Sequence, residues 1–170
     1  MDVTPQSPYP ASGPDIAAGP AVAAGPADRA SMRLRIASLV SLVLLLIEYV
    51  LGMSVNIFVK VPSADQGASV PAAIGKAMSN GPGSLAAHAG IGLLLVVIIT
   101  VVLVLSFRAR PRLVAVSSAL AWLCVLGAAG SGARFVGNGD NGSSMAMATL
   151  TGVAIACYAV NLFVLGRRRV

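Results

Sequence analysis

The sequence predicts an all-α membrane protein, an antiparallel bundle of four transmembrane helices behind a disordered N-terminal tail, and three observations predict it. Of its 170 residues 56% are hydrophobic and only 11% charged, against roughly 25% charged in a soluble domain. The apolar residues gather in four stretches, at about 34–59, 84–107, 113–135 and 143–165, each long enough for a helix to cross a hydrocarbon core of about 30 Å. Basic residues stand at or beside the ends of these stretches, where charge meets water.

Residues 1–31 are almost all Ala, Pro, Gly, Asp and Ser, with Ala-Gly-Pro steps at 18–20 and 24–26. Such a stretch has no periodic apolar face, so it reads as a disordered tail ahead of a membrane domain at 32–170. The basic flank comes only at Arg29, Arg33 and Arg35, and the apolar run after it far exceeds the roughly 7–15 residues of a signal peptide core. Span one, 34–59, is therefore read as an uncleaved anchor. At about 39 Å it is longer than the hydrocarbon is thick, which leaves it room to tilt or project.

Residues 60–83 form a polar connector broken by Pro62, Pro71 and Pro82, with a short interfacial helix expected between Pro71 and Ser79. Span two, 84–107, is the most hydrophobic part of the chain and stops against Arg108, Arg110, Pro111 and Arg112. The shortness of that turn makes spans two and three antiparallel neighbours. Gly137–Gly142 has turn composition, and span four, 143–165, is closed by Arg167, Arg168 and Arg169.

Charge then sets orientation. Nine of the 12 basic residues (Arg29, Arg33, Arg35, Arg108, Arg110, Arg112 and Arg167–Arg169) fall on one side, and Lys60, Lys76 and Arg134 on the other. By the positive-inside rule both termini are cytoplasmic; the membrane expected is the plasma (inner) membrane. The formal charge of +6 thus reports topology, and no nucleic-acid partner is implied.

The residues that can carry chemistry are few. Glu48 lies in the middle of span one, where an ionised group costs about 2.5–3.5 kcal/mol on insertion scales, so it needs a partner or a proton. Counting depth from Phe58 and Ser143 places it within reach of Tyr158. The functional reading is a proton relay or a cation site; the structural one is a buried hydrogen bond that fixes the bundle. Ser41, Glu48, Gly52 and Asn56 share one face of span one, which is expected to point into the bundle. His88, the single histidine, is a candidate cofactor ligand. Gly92, one turn on, leaves space beside it, and Met53, Met145 or Met147 could complete a mono-histidine haem site. The structural reading is an interfacial histidine bonded to Asn56 or a carbonyl.

Arg134 completes the expected intramembrane polar network of Glu48, Asn56, Tyr158 and Arg134, with an Arg134–Asp140 ion pair at the surface. Small residues at Gly127 and Ser131, at Gly130 four before Arg134, and at Ala148, Gly152 and Ala156 recur at helical spacing, which suits close helix packing in lipid. Cys124 and Cys157 read as small buried apolar residues, and Trp122 as packing or a ligand wall. The sequence holds no phosphate-binding or dinucleotide glycine motif, no HExxH, no nucleophile elbow and no cluster of metal ligands, so no metal site and no enzymatic activity are expected.

At Gly52-Met53-Ser54-Val55-Asn56-Ile57-Phe58-Val59, at His88-Ala89-Gly90-Ile91-Gly92-Leu93-Leu94 and at Ser143-Ser144-Met145-Ala146, the chain resembles short bacterial four-span integral membrane proteins of unassigned function. The resemblance covers the spans and not the tail; it implies the topology and directs attention to Asn56 and His88. The expected function is that of a non-enzymatic accessory or assembly partner of another membrane component, or of a second copy of the chain. The alternatives are a haem or quinone redox protein using His88 and a small proton-coupled transporter using Glu48.

Overall fold

The structure, a computed structural model of the chain, describes residues 25–58, 82–108, 112–138 and 141–167 together with 69, 71, 72, 75, 78 and 79; the side chains of 26, 27 and 136–138 are outside the description. Four long helices make up the fold among the described residues: α1 (Pro26–Phe58), α2 (Gly83–Phe107), α3 (Arg112–Asn138) and α4 (Asn141–Gly166). All four are long and apolar enough to cross a membrane, with mean window hydropathies of 2.3, 3.0, 2.0 and 1.9. The chain is a multi-pass membrane protein.

The ends of the helices follow local chemistry more than hydropathy. α1 begins at Pro26, well inside the stretch expected to be tail. A proline lacks the N–H that a first helical position cannot use, and Asp28 sits in the first turn, where a carboxylate meets the positive end of the helix dipole. The Gly25 carbonyl accepts from the Asp28 and Arg29 N–H groups at 3.1 and 3.2 Å. Residues 1–24 of the expected tail lie outside the described residues. α2 follows Pro82, whose carbonyl accepts from Leu85 N–H at 2.9 Å, and α4 begins at Asn141, two residues before the apolar run. In the connector, the described residues 71, 72, 75, 78 and 79 are helical, where a short helix was expected.

The helices form a ring in which α1 packs on α2 and α4, and α3 packs on α2 and α4. Neighbours run antiparallel: Gly52 faces His88 across α1 and α2, Gly127 faces Leu150 across α3 and α4, and Arg35 reaches Gly166 across α1 and α4. One end of the bundle carries the start of α1 and the end of α4. The opposite, distal end carries Phe58, Gly83 and Asn141.

Each helix buries only a narrow seam, as a helix solvated by lipid should. Leu45, Leu95, Ile99, Val114, Ala121 and Ala154 are at most 2% exposed, while Val50, Val97, Val116 and Phe163 stand more than half exposed on the outside. Cys124 and Cys157 are free and buried in the seam. The small residues divide in a way the sequence did not predict. Gly127 meets Leu150, but Gly130 and Gly152 have open space beside them, and Ala156 is exposed. The Gly152 and Ala156 part of the expected packing stripe therefore faces outward, because α4 turns Ala154, Cys157, Tyr158, Asn161 and Leu165 inward.

Towards the terminal end, the seam is polar. Ser38, Ser41, Ser106, Ser118, Tyr158 and Asn161 are all 0% exposed. Ser117 donates to Asn161 Oδ1, and Asn161 Nδ2 donates to Ser118 Oγ at 2.9 Å, tying α3 to α4 with both ends of one amide. Ser41 and Ser106 instead return their protons to carbonyls of their own helices, Ala37 and Leu103, at 2.9 and 2.7 Å. Trp122 is anchored by donation from its indole to Thr100 Oγ1 at 3.0 Å, which joins α3 to α2.

Candidate functional site at Glu48 and His88

Glu48 and His88 meet across the interface of α1 and α2, with Oε1 of the carboxylate 2.9 Å from Nδ1 of the imidazole. Their side chains are 12% and 24% exposed. The sequence contains one acidic side chain and one histidine within its apolar runs, and the fold brings the two together. Two bare acceptor atoms repel at 2.9 Å, so an approach this close requires a proton on the ring nitrogen or on the carboxyl. The ring N–H is not aligned on the oxygen: both Nδ1 and the second carboxylate oxygen, Oε2, are buried without a hydrogen bond. The contact is a close approach of two ionisable groups without hydrogen-bonding geometry.

Two glycines make the contact possible, and they do so reciprocally. Gly52 follows Glu48 by one turn on α1, and Gly92 follows His88 by one turn on α2. A Cβ on Gly92 would stand 2.8 Å from Glu48 Oε1, and one on Gly52 would stand 3.2 Å from the Cε1 of His88. Each of the two side chains thus lies against the bare backbone of the opposite helix. The space that Gly92 was expected to leave for His88 is used by the carboxylate of Glu48.

A cavity of about 30 Å³ adjoins the pair, enough for one or two waters. Gly52, Met53 and Asn56 of α1, and Ser144, Met147 and Thr151 of α4, line it together with Glu48, Tyr49 and His88. It is open to one side: Tyr49, Met53 and Asn56 are exposed.

Of the expected polar network, the structure joins Glu48 and Asn56 at this cavity and separates the rest. Tyr158 is not the partner of Glu48. Its phenol faces Ser41, outside hydrogen-bonding geometry, and its hydroxyl is buried without a partner. Because α4 starts at Asn141, Tyr158 is level with Ser41, seven residues or about 10 Å deeper than Glu48. Arg134 is exposed and does not line the cavity; Asp140, its expected partner, lies outside the described residues. The hydrogen bond expected from His88 to Asn56 gives way to the contact with Glu48.

A haem does not fit these residues. Nε2 of His88, the nitrogen that Glu48 leaves for a metal, lies 3.9 Å from the Cβ position of Gly52, against a helix backbone. The cavity is an order of magnitude below the roughly 300–1,000 Å³ of a cofactor pocket. Met145 is 74% exposed, and the Sδ of Met147 stands 3.3 Å from the Cβ position of Gly132 on α3. No group of three or more His, Cys, Asp or Glu side chains suited to a metal occurs among the described residues.

Sequence reasoning missed the second polar layer of Ser38, Ser106, Ser117, Ser118 and Asn161. The signal was present in their spacing, since Ser38 and Ser41, and Tyr158 and Asn161, stand three apart on single helix faces. No protein-family profile, curated protein or solved structure matches the chain.

Proposed function

We propose that this chain is a non-enzymatic accessory protein of a bacterial plasma membrane, with both termini cytoplasmic, that engages another membrane component and changes that engagement with proton uptake at Glu48 and His88. The observation that carries the reading is the pair itself. Intramembrane ionisable groups are costly and belong to proton or ion pathways more often than to scaffolding, and this pair joins two helices, has a carboxylate oxygen to spare and adjoins an open cavity. With one proton the pair carries a negative charge, and with two it is neutral, so uptake changes the electrostatics of the interface of α1 and α2. The resemblance to short bacterial four-span proteins supports the choice of membrane, and the outward Gly152 and Ala156 of α4 offer a surface that another helix can approach closely.

The test is photo-crosslinking in native membranes from probes at Thr149 and Ala156, at acidic and neutral pH. Wild type is expected to give adducts whose yield changes with pH, and Glu48→Gln adducts whose yield does not. Identical adducts at both pH values in wild type would sink the reading.

The cavity lined by Glu48 and His88 favours one second reading, a small proton-coupled transporter. Flux driven by a pH gradient in proteoliposomes, abolished by Glu48→Gln, would replace the first reading with this one.

A further inference from the structure

The two ends of the bundle treat the Glu48 and His88 pair differently. On the distal side the cavity reaches it, and the groups around that cavity can hold and pass water: the exposed Asn56 amide nearest the distal end and the Ser144 and Thr151 hydroxyls, with Tyr49 and Met53 on its lipid-facing edge. On the terminal side, the next turn of every helix closes. Leu45 on α1 is 1% exposed, Leu95 on α2 2%, Ala154 on α4 0%, and Cys124 and Val125 on α3 6% and 7%, all within one apolar cluster. Only beyond this layer do the buried hydroxyls of Ser41, Tyr158 and Ser38 begin.

We propose that the Glu48 and His88 pair is a proton-binding site that exchanges with water on the distal side alone, the apolar layer of Leu45, Leu95 and Ala154 sealing it from the terminal side. The inference rests on the proton-responsive reading above and adds its direction. Protons move along hydrogen-bonded chains, and apolar side chains packed without voids carry none. A path of polar groups therefore ends at Leu45 from below and at Glu48 from above. No other charge contributes to the site among the described residues: the only further titratable side chain at the cavity is Tyr49 of α1, α2 supplies His88, α4 presents only Ser144, Met147, Ala148 and Thr151, and α3 does not line it. The proton balance is simple. One proton enters from water, the pair goes from one proton to two and from one negative charge to none, and no bond other than O–H or N–H forms or breaks.

The site is read by infrared difference spectroscopy of the full chain in proteoliposomes whose orientation is fixed by protease access to the C terminus. The protonated carboxyl stretch of Glu48 is identified by its loss in Glu48→Gln, and pH is stepped on one side at a time. A band that follows the pH on the distal side, and does not respond within the same time on the terminal side, is the expected result. A band that follows both sides equally overturns the direction while leaving the proton-responsive reading intact. Absence of any change in the Glu48 carboxyl or carboxylate bands or in the His88 ring bands between acidic and alkaline pH overturns both. Leu45→Asn, which places a polar group in the seal, is expected to admit the terminal side at least tenfold faster; an unchanged rate in folded Leu45→Asn protein, shown by its retained distal response, places the barrier elsewhere and overturns the seal.

Discussion

At Gly92 one methyl group decides whether the Glu48 carboxylate keeps its place, because a Cβ there would stand 2.8 Å from Oε1. Gly92→Ala is expected to destabilise the bundle by about 1–3 kcal/mol, as overpacking does. Gly90→Ala, two residues away with nothing near its Cβ position, is expected to be neutral or to gain up to about 1 kcal/mol from helix propensity. Reversible unfolding of both variants in mixed micelles checks the contrast. A double-mutant cycle of Glu48→Gln and His88→Gln by the same method is expected to give a coupling of about 0.5–3 kcal/mol; a coupling of zero would mean that the 2.9 Å approach holds nothing together. Glu48 and His88 were each legible in the sequence as residues needing an explanation, since lipid makes such groups expensive. Their partnership was not. Depth counted along a helix places Cα atoms, and the contact depends on two side chains that reach along the axis through space cleared by glycines on the facing helix.

Among the helices, α3 and α4 share the most extensive interface, and its polar staple is Asn161 between Ser117 and Ser118. Asn161→Leu, which keeps the volume and removes both hydrogen bonds, is expected to cost about 0.6–1.7 kcal/mol, the range measured for such bonds in membranes. Thr149→Val, on the exposed side of the same helix, is expected to stay within about 0.5 kcal/mol. The number, order and approximate limits of the helices could be read from apolar run length alone. Which face of each turns inward could be read only in part. In water, burial sorts apolar from polar residues, but lipid accepts Val97 outside as readily as Ile99 inside, so hydropathy carries no direction. Where a polar pattern existed, as for Ser41 and Gly52 on α1, the inward face was legible, although Asn56 of the same set is exposed; on α4 the Gly152 and Ala156 part of the expected stripe pointed to the wrong side. The start of α1 was hidden for a different reason: Pro26 and Asp28 resemble linker in composition but are suited to a first helical turn.

For the molecule as a whole, topology is the claim with the broadest consequences. Reporter fusions after Arg110 and after Arg168 are expected to report the cytoplasm, and a fusion after Gly139 the opposite compartment, since an antiparallel ring of four helices puts both termini and the turn between α2 and α3 at one end. Placing Arg110 and Arg168 on different sides would require an odd number of crossings between them and would dismantle the bundle. The cyclic arrangement also bears on how the chain enters the membrane. Glu48 belongs to α1 and its histidine to α2, which is made later, and the 24 residues from Val59 to Pro82 separate these helices. Until α2 emerges, the carboxylate has nothing to answer it in hydrocarbon. Release of α1 from the insertion machinery is therefore expected to wait for α2, the pair leaving as a hairpin, and a ribosome stalled between them should hold α1 at the exit longer in wild type than in Glu48→Leu.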